Sequence, residues 1–175
     1  YTQDQEAIDI LKNDESDVDR LCAGITNYTI KLSSLQISEK EHQEAAHLLQ
    51  VLSDMERVSD YCENISEFAE TLRDKKASFS ETAKKQLEEM IEETAKSYFY
   101  ALDAFKEQSR EKALRVIEKE TKVDDLEVKL RSRHIKRLSN NECNTEAGSV
   151  FLDTLVCMER ISDHARNIAE EVLEE

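Results

Sequence analysis

Among the carboxylates that stand four residues apart along this chain are Glu15 with Asp19, Glu56 with Asp60, Glu120 with Asp124, and Glu159 with Asp163. On a helix that spacing places both acids on one face. Asn64 and Asn167 fall one turn beyond Asp60 and Asp163 and add a carbonyl oxygen to those two rows. Like charges at this spacing repel by roughly 0.2–0.5 kcal/mol per pair, unless a cation lies between them. Oxygen donors from two adjacent helices suit hard cations such as ferric iron, manganese, magnesium or calcium. A solvated acidic face explains any single pair equally well, because 39 of the 175 residues are Asp or Glu. On a helical wheel Glu56, Asp60 and Asn64 also lie off the apolar stripe.

What separates these acids from their background is repetition. Leu52, Met55, Glu56, Arg57, Ser59, Asp60, Asn64, Ile65 and Glu67 recur as Leu155, Met158, Glu159, Arg160, Ser162, Asp163, Asn167, Ile168 and Glu170. A weaker echo relates Glu15, Val18, Asp19 and Leu21 to Glu120, Val123, Asp124 and Leu126. Two solvated faces have no reason to match residue for residue, so the repeat favours a shared role and predicts two similar helical hairpins. Glu63 and Glu70 read as bystander acids.

The elements that carry these rows are helices. The chain has no proline and two glycines, and more than a third of it is charged, which leaves little material for sheets and tight turns. Ser38 followed by Glu41 and Ser78 followed by Glu81 match the capping box. Ser109 and the stretch Ser139, Asn140, Asn141, Glu142 offer further caps. The expected helices run over about 5–36, 38–73, 79–107, 109–138 and 142–174, an all-α antiparallel bundle joined by short connections. Stripes such as Leu48, Leu52, Met55, Val58, Cys62, Ile65, Ala69 and Leu72, or Leu155, Met158, Ile161, Ala165, Ile168 and Val172, face one core. One domain over 1–175 is expected, with a first repeat over 1–77 and a second over 78–175. The third helix has no counterpart before residue 5, so the first unit is expected to lack its opening helix. A start at Tyr1 rather than at methionine adds the expectation of a piece cut from a longer protein.

The net charge of -15 disfavours nucleic acid and anionic lipid as partners. No segment approaches the ~18 apolar residues of a membrane span. Cys22, Cys62, Cys143 and Cys157 form no CxxC pair and read as reduced thiols. Tyr98, Phe99, Tyr100 and Phe105 read as core, and His134 and His164 as surface histidines. Glu39 with His42 and Glu44 with His47 have ferritin-like spacing, but both lie at the start of one helix, where a deep paired site cannot form. No nucleophile stands beside a base and no glycine loop cradles a phosphate, so no enzyme is expected.

Met55-Glu-Arg-Val-Ser-Asp60 and Met158-Glu-Arg-Ile-Ser-Asp163, each followed by Asn-Ile, resemble the twin ERxxD motifs of the PhoU family. Leu102-Asp-Ala-Phe105 leading into Glu120-Thr-Lys-Val-Asp124 strengthens the resemblance, which runs from about Ile10 to Glu170. The family's usual glycine before the Asp is replaced by Ser59 and Ser162. The resemblance implies two duplicated three-helix units and a multinuclear metal cluster, iron first, with manganese, magnesium, calcium or zinc as alternatives. It implies one site on Glu15, Asp19, Glu56 and Asp60 and another on Glu120, Asp124, Glu159 and Asp163. It further implies control of phosphate uptake at the cytosolic face of the membrane, through a phosphate transporter in cis or in trans, with a homodimer as a further assembly. Asn27-Tyr28 through Lys31-Leu32-Ser33 is more similar to the cytosolic tail of sodium/phosphate cotransporters than to the free regulator. The alternative is a metal-free helical adaptor.

Overall fold

A computed structural model of the chain describes residues 4–140 and 143–174. Five helices follow one another: α1 Gln5–Ser33, α2 Glu39–Asp74, α3 Glu81–Glu107, α4 Arg110–Ser139 and α5 Thr145–Glu174. The capping box at Ser38 forms, with its hydroxyl accepting from the Glu41 amide and Glu41 reaching back to the Ser38 amide. The box expected at Ser78 does not cap α3: Ser80 takes the position and accepts from Ala83 N–H. At α5 the cap is the side chain of Asn144, which accepts from the amides of Glu146 and Ala147. Asn141 and Glu142, where the start of α5 was expected, lie outside the described residues. With glycine scarce, Lys76 and Gln108 adopt positive φ near 50° to end α2 and α3, conformations that glycine usually supplies.

Not every sequence neighbour packs on the next. α1 with α2, α3 with α4, and α4 with α5 form antiparallel pairs, whereas α2 and α3 are linked but not packed together. Instead α2 crosses to α5, which also touches α3 and α4 and is the central helix. Its burial shows this: Phe151, Leu155, Ala165, Ile168 and Ala169 are fully enclosed. Around them Leu87, Met90, Val123 and Leu130 close one part of the core, and Val51, Ala101, Ala113 and Val116 close the other. Among the described residues α1 packs only on α2. Its outer side leaves Leu21, Ile25, Tyr28 and Leu32 exposed, and Leu35 just beyond it is exposed too.

Three sequence expectations are corrected here. Phe99 is 65% exposed, because it points away from the stripe that Tyr98, Ala101 and Phe105 present to the core. His134 is buried, stacked on Phe151 at 4.5 Å between ring centroids. His164 is largely buried as well, bonded to Asp54. Gly148 is what admits His134, since a Cβ there would sit 2.9 Å from His134 Nε2 and 3.0 Å from Leu138 Cδ2.

Burial, and then the Arg137 guanidinium, lower the His134 pKa below its ordinary value. The folded state therefore binds this proton more weakly than the unfolded chain. The stability tied to the neutral ring is present above about pH 6.5 and is lost as pH falls through the depressed folded value. We expect the Tm of wild-type protein to fall more steeply between pH 7 and pH 5.5 than that of His134→Phe. Parallel curves would contradict this.

Candidate metal centre

The structure gathers the acidic rows into two clusters. Carboxylate oxygens of Glu15 and Asp19 from α1 and Asp60 from α2 lie within 4.8 Å of one another. Glu120 and Asp124 from α4 and Asp163 from α5 do the same. Each cluster draws two acids from one helix of a hairpin and one from the other, at positions equivalent in the repeat. The four-residue spacing places the first two on one face, and antiparallel packing brings the third across the groove.

Glu56 and Glu159 complete the expected sets in sequence but are not within that distance. Glu56 is exposed on the rim and Glu159 is half-buried. Asn167 turns from the row into the α2–α5 seam, where its amide donates to Asp54 at 3.0 Å. Asn64 is half-buried at the equivalent place in α2.

The electrostatics of both clusters favour a cation. Burial first, and then Asp19, push the Glu15 carboxyl above its usual range. Burial first, then Glu120 and Asp163, do the same to Asp124. Burial and Asp163 raise Glu159. These are the responses of acids crowded together without enough positive charge. Asp19 Oδ1 and Asp124 Oδ1 are buried without a hydrogen-bond partner. An orphaned, desolvated carboxylate oxygen is costly, and here one occurs at the same place in both copies. The donor set is all oxygen, with no cysteine or histidine among the six. It fits iron, manganese, magnesium or calcium better than zinc, which favours nitrogen and sulfur.

Sequence reasoning passed over several partners. Glu63, read as a bystander, lies close enough to raise Glu15. Glu70 pairs with Lys12 at 2.9 Å. Arg166 Nη1 donates to Glu120 at 3.1 Å, and its Nε to Glu170 at 2.8 Å. Asp54 is 3% exposed and takes bonds from His164 Nδ1 at 2.7 Å and from Asn167. Only the repeat held a signal for the first and third: position 63 aligns with position 166, where Glu faces Arg. A third grouping, His47 with Glu171 and Glu174, joins α2 to the end of α5.

The repeat is also visible as geometry. Tyr61 and His164, equivalent residues of the two copies, face each other across the α2–α5 seam with centroids 5.8 Å apart. Ser162, where the motif more often has glycine, is fully buried, and its hydroxyl donates to Ser97 of α3 at 3.2 Å. A small residue is what that crossing allows.

A helical bundle of two related hairpins, each holding an acidic cluster between its helices, is thus the class of protein these residues define. The PhoU domain family model matches residues 1–69 and 87–172, and the chain belongs to that family. It is 30% identical over 126 residues to the phosphate-specific transport system accessory protein PhoU homolog 1 of Thermotoga maritima. That alignment takes in 72% of this chain and 53% of the relative, so the chain spans about half of its length. The crystal structure of PhoU from Pseudomonas aeruginosa matches with a TM-score of 0.88 at 21% identity, over 98% of this chain and 81% of that one. The phosphate transport system regulatory protein PhoU from Streptococcus pneumoniae matches at 0.86 and 20%, over 98% and 80%. At such identities the two structures speak for the fold. Among the described residues, no helix is long and apolar enough to cross a membrane.

Proposed function

We propose that this chain is a metal-binding regulatory domain that controls phosphate uptake, acting on a phosphate transporter rather than catalysing a reaction. The observation that carries the reading is the pair of repeat-equivalent carboxylate clusters, each with an orphaned buried oxygen. Glu15, Asp19 and Asp60 would hold metal in one hairpin, and Glu120, Asp124 and Asp163 in the other. Glu56 and Glu159 stand at the rims as further ligands of a multinuclear cluster. A bound cation would supply the positive charge these acids lack and tie the two helices of each hairpin together. The relative's role in phosphate-specific transport supports the transporter as partner, at the cytosolic face of the membrane. The same module serves as the tail of a sodium/phosphate cotransporter or as a separate chain, and pairing into a homodimer is compatible with either.

A cation that binds the folded state alone stabilises it by about 2.7 kcal/mol at a hundred times its Kd, or roughly 5–10 °C in Tm at this size. We expect manganese or iron to raise the Tm of chelated wild-type protein by that order. Asp19→Ala with Asp60→Ala should lose part of the gain, whereas the exposed acids Glu88 and Glu118 should be silent when changed to Ala. If added cations leave Tm unmoved and metal analysis finds no stoichiometric ion, the metal reading falls.

The adaptor reading then remains, and one observation favours it. α1 exposes Leu21, Ile25, Tyr28 and Leu32, and at its other end a cleft of about 460 Å³ is lined by Ile8, Leu11, Phe68, Leu72, Phe79 and Ile91. Such a surface commonly marks a contact.

A further inference from the structure

The two clusters match in their acids but not in the charge beside them. In the α4–α5 cluster, Arg166 reaches Glu120, whose side chain is 7% exposed, and is held from the other side by Glu170. Its guanidinium stays firmly protonated between these two acids. It also offsets the repulsion that Glu120 and Asp163 impose on Asp124. At the equivalent position the α1–α2 hairpin carries Glu63, which adds to the crowding around Glu15. None of the ion pairs among the described residues involves Glu15, Asp19 or Glu63; Lys12 of α1 pairs with Glu70, and its attraction to Glu63 is the weakest that it makes. Both rims carry an arginine of the repeat, Arg57 3.6 Å from Asp60 in one copy, and Arg160 3.0 Å from Asp163 and 3.4 Å from Glu159 in the other. The largest difference is a carboxylate at position 63 in one copy and the Arg166 guanidinium, bonded into the cluster, in the other.

We propose, building on the metal-binding reading above, that the clusters are graded: the α1–α2 cluster takes a divalent cation first, and Arg166 fills the α4–α5 cluster as an internal counter-ion that metal must displace from Glu120. A cation entering the first site meets Glu15 and Asp19, neither of them in an ion pair and the second with an orphaned oxygen. One entering the second must break a charge-assisted hydrogen bond and approach a fixed positive group. Oxygen sites tune their affinity through the number of charged ligands, so the two sites answer to different metal concentrations. The second then acts as the responsive one.

Divalent manganese alone, titrated into chelated full-length chain with free ion followed by electron paramagnetic resonance, tests this. Wild type should show two classes of ion, the first tighter on the order of tenfold or more. Asp19→Asn should remove the tight class and Asp124→Asn the weak one. Arg166→Gln should tighten the weak class toward the other and leave the tight class in place, while Arg166→Lys, which keeps the charge, should stay near wild type. Glu63→Arg should weaken the tight class by a similar factor. It carries the test if Arg166→Gln, checked by circular dichroism, fails to fold. Metal bound with equal affinity at both clusters, or a weak class that neither Arg166→Gln nor Glu63→Arg shifts relative to the other, would overturn the grading while leaving the metal reading intact. Manganese bound by no variant would overturn both.

Discussion

Phe151→Ala should cost about 3–5 kcal/mol, the range for emptying a fully enclosed aromatic site. Against a typical total of roughly 5–15 kcal/mol, that removes a large share of the stability, and all of it at the low end of the range. The ring has no exposure. It is stacked on His134, meets Phe79 edge to face at 6.2 Å and lies under the Arg137 guanidinium at 5.8 Å. It thereby pins the start of α5 against α4 and the segment before α3. Little can move in to fill the space, because its neighbours Leu87, Leu130 and Leu155 are themselves fully buried and already packed. Urea denaturation of wild type and variant measures the cost. A loss below about 1.5 kcal/mol would mean that the site collapses more easily than this packing suggests. Phe151→Leu, which keeps most of the volume, should fall between the two.

The helices were legible in the sequence because their signals are local. Serine caps, four-residue charge rows and 3.6-residue stripes each depend on neighbours along the chain, and the ends differ from expectation by only a few residues. Ser78 and Ser80 are both plausible caps, and choosing between them takes knowledge of where Phe79 packs, which is a tertiary fact. The duplication was legible too, since it needs only comparison of the chain with itself. The acids of the two clusters followed from it, but which of them meet did not. Glu56 and Glu159 share a face with Asp60 and Asp163, yet the crossing of the hairpin helices brings only the latter within 4.8 Å of the partner acids.

Histidine burial was not legible for a physical reason. His164 is held across the seam by Asp54, and His134 is covered by Phe151 of α5, with Arg137 one turn along its own helix. No periodicity announces either contact, and the acceptor of His164 lies 110 residues away. Asp54 lies within the apolar series of α2, flanked by Leu52, Met55 and Val58. A lone acid there reads as an interruption of the stripe. The structure makes it the acceptor around which the α2–α5 seam is organised.

That seam carries the second large effect, because it is where the two hairpins meet. Asp54 takes hydrogen bonds from His164 Nδ1 at 2.7 Å, from Asn167 at 3.0 Å and from Gln50 at 3.3 Å. A carboxylate only accepts, so the proton lies on Nδ1 of His164. Asp54→Ala would leave two donors of α5 without an acceptor in a half-buried seam, and we expect it to destabilise by about 3 kcal/mol. The double variant Asp54→Leu with His164→Leu removes the acceptor and the nearer of its two α5 donors together, leaving only Asn167 unpaired, and replaces them with apolar volume. Pairs of this kind are often tolerated with little net loss, so the double change should be milder than Asp54→Ala alone, by at least about 1 kcal/mol in urea denaturation. Equal or greater damage from the double variant would show that the packing of Tyr61 against His164, rather than the hydrogen bonds, holds the seam. The seam also fixes how the clusters stand relative to each other, since Asp60 and Asp163 lie on the same two helices as Asp54 and His164. Asp54→Ala should therefore also weaken manganese binding at the cluster that includes Asp163, whose neighbour His164 loses its anchor. The Glu15 and Asp19 side of the other cluster rests on the α1–α2 hairpin and should be less affected.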